Sequence, residues 1–463
     1  MIVQTSGNAR LVRHAELLSR EMCLADHWRL DTEAHLKLSH EEHRTIERAL
    51  RQRDAHGAEQ AMRAHLRRVA CSVQTHHCPH LSPSPKETIM RKFMLLTLSV
   101  ALAGSAQAQG TIKIGAITSV TGRFAEFGKM QLAGFKVGVA EVNRRGGIGG
   151  RKVELIIEDN ASDVNKGLAA AERLVNAGVP LVINEYSSSL VKAQAQYLAR
   201  QRVPNLVITS SGDDITKPGS DYIFRLNQPA TEYARVILNI FRDKKFKTMA
   251  VIAGTGAFEK SVADAAQVIA KEYGINIVED QRYDKGLTDF RPVLNRIKAK
   301  NPDGLLMVSY AEDSVALMRQ AREVGVKPRL FAGGAAGFAL PEFVKDSGTA
   351  AENVITATAW IPQLRYSGVQ KLNVELVKAL GGAEPSYHAA QAYAGVIVAA
   401  EAIRRAGGTD REKVKVALNG LNMQTAFGPV QFKDYDGFRN QNPLVMVAQQ
   451  VQGANSCPST PRA

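Results

Sequence analysis

The chain has 463 residues, 45% hydrophobic and 22% charged, a globular composition with room for two or three domains and too apolar for a disordered chain. Its formal charge of +14 is spread along the sequence without an arginine-rich patch interleaved with aromatics, which argues against nucleic acid as a partner. Cys23, Cys71 and Cys78 precede Met90, Cys457 stands alone near the end, and His388 is the one histidine after residue 109; this excludes a disulfide framework and a multi-histidine metal site in the main body.

Residues 1–89 read as a helical extension. Within it the stretch Glu41 to Val69, EEHRTIERALRQRDAHGAEQAMRAHLRRV, resembles the C-terminal end of the ligand-binding domain of GntR-type regulators. In that family the histidines of EH-x-x-I and M-R-x-H-L help bind a metal, and His43 and His65 fall on those positions. Two helices alone cannot bury their apolar faces, so the extension is expected to be a truncated remnant or the product of a start assigned too far upstream. The histidine-rich run from Thr75 to His80 falls in a linker.

Residues 90–108 have the parts of an export signal. Met90-Arg91-Lys92 supplies the positive n-region, Phe93 to Gly104 the short apolar core, and Ala106 and Ala108 the small residues before a cleavage site. Some twelve apolar residues are too few to anchor in a bilayer. Cleavage after Ala108 and a periplasmic location are expected, and the natural start is expected at Met90.

From Thr111 short β-rich runs alternate with helical stretches. The predicted strands are 111–117, 153–159, 180–184 and 205–209, then 248–254, 304–310 and 353–358. Between them lie helices with apolar faces, such as Val164, Leu168, Ala171 and Val175, and again Val262, Ala266, Ile269 and Tyr273. Alternating strands and helices imply parallel sheets covered on both faces. The repeats are too many for one sheet, and Arg225 to Pro229 (RLNQP) marks a break, so two doubly wound α/β lobes are expected. The glycine run from Gly146 to Gly150 follows a helix and precedes a strand, the reverse of a phosphate loop, and is expected to cap and turn; no nucleotide or other cofactor is expected.

The phrase from Ile112 to Asp163, IKIGAITSVTGRFAEFGKMQLAGFKVGVAEVNRRGGIGGRKVELIIEDNASD, resembles the leucine/isoleucine/valine-binding proteins of bacterial ABC importers. YSSS at 186–189, YDKGLTDFRPVLNRIKAKNPDGLL at 283–306 and FGPVQFKDYDG at 427–437 extend the likeness over residues 110–452. The resemblance implies a type I periplasmic binding fold, two lobes joined by a three-stranded hinge that close on a ligand. Lobe one is expected to hold 109–227 plus 359–425, lobe two 228–358 plus 426–452, leaving a polar tail at 453–463.

The function implied is capture of a small amino acid, or a related carboxylate or amide, and delivery to an ABC permease by a monomer that is not an enzyme. Candidate ligand-binding residues are Tyr186, Ser187, Ser188 and Ser189, where hydroxyls meet a helix N-terminus suited to a carboxylate, with Ser210 and Ser211 in the next such loop. Phe127, Phe258 and Tyr310 are expected to form apolar walls, with Phe124 beside them. No serine sits in G-x-S-x-G, and His388 opens a helical stretch where a buried or capping role is expected. The loop Gly333 to Phe338 has no carboxylate where amino-acid-binding members often place one for the ammonium; Glu126, Glu185 and Asp313 are the acids near the expected cleft. The rival reading is a ligand-sensing regulator that uses the same binding module.

Overall fold

The computed structural model describes residues 110–453 and four isolated upstream positions, Arg44, Thr45, Arg48 and Asp54, the first three of them helical. The export signal, the rest of the extension and residues 454–463 lie outside the described residues. The chain divides into two compact units, Met1–Ala106 and Gln107–Ala463, and the strands described here all lie in the second.

The first half runs β1 (Ile112–Thr118), α1 (Ala125–Arg144), β2 (Val153–Asp159), α2 (Val164–Asn176), β3 (Val182–Asn184), α3 (Ser188–Arg200), β4 (Asn205–Val207) and β5 (Ile223–Arg225). After a first crossing come α4 (Ala230–Asp243), β6 (Thr248–Gly254), α5 (Ala257–Glu272), β7 (Asn276–Tyr283), α6 (Arg291–Lys300), β8 (Gly304–Val308), α7 (Ala311–Glu323), β9 (Leu330–Gly333), α8 (Pro341–Ser347) and β10 (Ile355–Thr358). The chain then returns for α9 (Val369–Ala379), α10 (Tyr387–Arg405), α11 (Arg411–Asn419), β11 (Asn422–Gln424), β12 (Pro429–Gln431), β13 (Lys433–Tyr435) and β14 (Phe438–Gln441), and crosses a last time to β15 (Val447–Gln450).

Two large sheets result, of strand order β13-β14-β5-β4-β3-β1-β2 and β15-β10-β9-β8-β6-β7, and β11 pairs antiparallel with β12 as a separate two-stranded sheet. All pairings among β1 to β5 and among β6 to β10 are parallel, while β13 and β15 add antiparallel edges. Strands such as β1, with Ile114, Ala116 and Ile117 fully buried, are apolar along their length because helices cover both faces. The winding reverses between β1 and β3 in one sheet and between β6 and β8 in the other. At such switch points the strand-end loops diverge and leave a crevice.

RLNQP does mark the first crossing. The crossings are stitched together: Asn442 N donates to Arg225 O at 2.9 Å, Gln441 Nε2 to Asn227 O at 2.5 Å, and Trp360 Nε1 to Ala426 O at 2.9 Å. The glycine run lies between α1 and β2 as expected, with Gly146 and Gly147 at φ of +96° and +73°.

Two expectations need correction. Residues 426–441 were assigned to the second lobe, but β14 pairs with β5 through Gln441 and Arg225, and Phe432 lies edge-on to Phe224 at 5.3 Å. Hydrogen bonding therefore puts this segment with the first sheet, and the lobe boundary falls at 442–446. The buried face of α2 is Gly167, Ala170, Ala171 and Leu174 rather than the Val164 register; small residues bring the helix close to its neighbours, and Val164 is left 39% exposed.

Candidate functional site

The loops leaving β1, β2 and β3 are locked by a buried carboxylate. Glu185 is fully buried at the end of β3, and its Oε2 lies 2.9 Å from the Ser119 hydroxyl, which also reaches Asn160 Oδ1 at 2.8 Å. Asn160 Nδ2 donates to the other oxygen, Oε1. Burial pushes the Glu185 carboxyl up to about 7, opposed by the hydrogen bonds from Ser119, the Tyr186 N–H and Asn160. Asp159 accepts from Val120 N and the Thr121 hydroxyl, and Phe124 N donates to Ser162 Oγ, which holds Arg123 and Phe124 over the end of the sheet.

On that base sits an aromatic cluster drawn from both lobes. Phe127 stacks on Tyr186 with ring centroids 3.7 Å apart, and Tyr310 from the other lobe approaches Tyr186 at 5.6 Å and Phe124 at 5.0 Å. Phe258 closes on Tyr310 at 6.1 Å. Burial raises the phenols of Tyr186 and Tyr310, so both stay protonated. His388 joins edge-on, 5.1 Å from Phe127; its Nδ1 is 2.9 Å from Ser386 Oγ, and desolvation lowers it to about 3, so the ring is neutral. Tyr186 Oη and His388 Nε2 have no hydrogen-bond partner.

Beside the cluster a cleft of about 280 Å3 opens between the lobes. Its walls come from the ends of β1, β2 and β3 on one side (Arg123, Phe124, Ser162, Ser187, Ser189) and of β6, β7 and β8 on the other (Thr255, Glu259, Tyr283, Lys285, Tyr310, Asp313). These are the loops that the two switch points leave apart.

Of the candidates from sequence, Ser187, Ser189 and Tyr310 stand together in the cleft wall, with Tyr186, Phe127 and Phe258 in the ring cluster. The remaining serines are engaged elsewhere. Ser188 Oγ accepts from Gly212 N at 2.9 Å and from Ser210 Oγ at 3.0 Å, and Ser211 Oγ accepts from Asn227 Nδ2 at 2.8 Å. Ser187 is the N-cap of α3 but makes no side-chain capping bond, so the first-turn N–H groups are left for other acceptors.

Among the acids, Glu126 faces outward beside Lys129, Glu185 lies beneath the loops, and Asp313 lines the cleft. Sequence reasoning missed Glu259 and Arg123. Glu259 follows Phe258 in the first turn of the helix after β6, so the strand-end rule that found Phe258 also pointed at it.

Two parallel-sheet lobes with a cleft between their strand-end loops are the architecture of a two-lobed binding protein. The periplasmic binding protein family model matches residues 111–455, and the chain belongs to that family. An FCD domain model matches residues 1–68, reaching further upstream than the Glu41–Val69 stretch on which the GntR-type likeness rests. Among relatives, "Leu/Ile/Val-binding protein homolog 7" of Brucella suis biovar 1 is 29% identical over 381 residues, covering 78% of this chain and 94% of the relative. The "leucine-, isoleucine-, valine-, threonine-, and alanine-binding protein" of Pseudomonas aeruginosa is 27% identical over 353 residues, covering 74% and 92%. The fold is shared with LivJ of Streptococcus pneumoniae, solved with isoleucine, at a TM-score of 0.67 and 23% identity over 74% of this chain and 97% of that one.

Proposed function

We propose that the cleft captures a small solute with a carboxylate end, an amino acid or a related acid or amide, for an ABC importer in the inner membrane. The observation that carries this reading is the convergence of loops from both switch points on one cleft, with the uncapped first turn of α3 in its wall. Such an N-terminus offers free N–H donors and favours negative charge. Ser187 and Ser189 add hydroxyls, and Phe124, Leu190 and Tyr310 give an apolar surface. The names of the two relatives support an amino acid.

The role is binding rather than catalysis, since the buried neutral His388 already bonds Ser386 through Nδ1. The protein acts as a monomer, exported through the signal at Met90 and cleaved after Ala108. N-terminal sequencing of periplasmic protein should then begin at Gln109. The FCD match at residues 1–68 supports a second reading, a ligand-sensing regulator; cytosolic protein that retains the extension would favour it. The direct test is thermal-shift screening against amino acids, hydroxy acids, aromatic acids and amides, because a ligand that binds only the folded state raises its melting temperature. Absence of a shift across the panel refutes the reading.

A further inference from the structure

Positive charge that is spread along the sequence gathers in space at one end of the second sheet. The parallel strands β6, β8 and β9 stand side by side, and each is entered from a loop that follows a helix: residues 244–247 after α4, 298–303 at the end of α6 and 325–329 after α7. These loops carry Lys244, Lys245, Lys247, Lys298, Lys300, Lys327 and Arg329 against a single acid, Asp303. Seven bases less one acid place +6 of the chain's +14 on three short segments.

The loops are stitched into one face. Lys298 Nζ donates to Val324 O at 2.8 Å, and the guanidinium of Arg329 lies 4.5 Å from the centre of the Phe246 ring and 3.6 Å from Asp303. Asp303 Oδ2 also accepts from the N–H groups of Lys247 and Thr248 at 2.8 and 3.1 Å, so the one acid is engaged within the loops. Lys244, Lys245, Lys247, Lys300 and Lys327 are exposed, and none forms an ion pair among the described residues. Cations in the last turn of a helix complement its dipole, which accounts for Lys298 and Lys300. It does not account for Lys247, Lys327 and Arg329, which lie beyond the helix ends.

The make-up of the face points to the kind of partner it fits. Six of its seven bases are lysines, compact hydrated charges on flexible stems rather than the planar forks that grip one carboxylate or phosphate in fixed geometry. No exposed large apolar side chain lies in the three loops, and Phe246 and Val326 are buried. Protein interfaces are depleted in lysine and centre on aromatic or apolar anchors. A lysine face without anchors suits a surface of many mobile negative charges.

We infer that this face is a docking surface for an anionic phospholipid bilayer. β6 runs from the face to the cleft over seven residues, about 23 Å. A protein resting on lipid headgroups through these loops therefore keeps its cleft clear of them, and gathers at the membrane without occupying the solute site.

The test is flotation of the full chain with vesicles of phosphatidylglycerol or of phosphatidylcholine at low and high salt. The chain should bind phosphatidylglycerol in preference, and salt should release it because exposed charges are screened. Lys244→Gln, Lys245→Gln, Lys247→Gln, Lys300→Gln and Lys327→Gln combined should weaken the salt-sensitive binding at least about tenfold. A control with Lys113, Lys136, Lys152, Lys413 and Lys433 changed to Gln, all exposed and outside the face, should stay within about threefold of the wild type. Residues upstream of Gln109 are common to all three chains and drop out of the comparison. Equal weakening in the variant and the control assigns the effect to net charge and overturns the inference. So does a wild type without preference for phosphatidylglycerol, which leaves an acidic protein as the partner for this face. Should the variant not fold, acetylation of the wild type decides: protection by phosphatidylglycerol vesicles at the five lysines of the face but not at the five control lysines supports the inference, and equal modification overturns it. None of these outcomes bears on the solute-binding reading, which the thermal-shift screen tests by itself.

Discussion

Replacing Glu185 by Gln should flatten part of the pH dependence of stability. In the folded protein burial holds this carboxyl at about 7, against 4.5 for a free glutamate side chain. A carboxyl whose folded value is raised adds stability that is fully present below the unfolded value and is lost as pH rises through the folded one. Between pH 8 and pH 5 this residue alone should therefore make the wild type more stable by about 2.5 kcal/mol, from a shift of roughly two and a half units at about 1.4 kcal/mol each, less the incomplete titration at the ends. Glu185→Gln abolishes that contribution while its amide still meets the Ser119 hydroxyl. Urea unfolding of both proteins at pH 5 and pH 8 measures it: Glu259, also raised to about 7, and His388, lowered to about 3, titrate in both and cancel in the comparison. If the stability difference between wild type and variant is the same at both pH values, the buried-carboxylate argument is refuted.

Other substitutions separate support from contact. Ser188→Ala leaves the buried Gly212 N–H and Ser210 hydroxyl without their shared acceptor and should cost about 1–3 kcal/mol in urea unfolding; Ser189→Ala, at an exposed position in the cleft wall, should leave stability within about 0.5 kcal/mol and weaken a carboxylate ligand several-fold. Trp360→Phe removes the donor to Ala426 O at a lobe crossing and should destabilise by about 1–3 kcal/mol, read by thermal unfolding.

The parallel lobes were legible because their strands are covered on both faces. The run Thr248 to Gly254 is a strand from end to end, and the RLNQP break falls on a crossing. What escaped is set by distant partners. β13 and β14 are short and largely polar, Lys433–Tyr435 and Phe438–Gln441, without period-two patterning; they become strands because β5, more than 200 residues earlier, offers an open edge. The serines show the same limit from the other side. Ser187, Ser188 and Ser189 are indistinguishable as residue types, but three successive positions at a helix start point in different directions, so Ser188 turns to Gly212 and Ser210 while its two neighbours face the cleft.

Glu259 is the sharpest case. An acid in the first turn of a helix is a common surface feature, and here it is turned inward into the space left by the two glycines that precede it, facing an arginine of the opposite lobe across the cleft. No local pattern encodes that approach of Arg123, which depends on three chain crossings bringing the end of β1 to face the end of β6. The cleft's location follows from strand order alone, whereas its charge complement follows from the way the lobes meet. A family resemblance therefore fixes where a ligand sits more securely than which ligand it is.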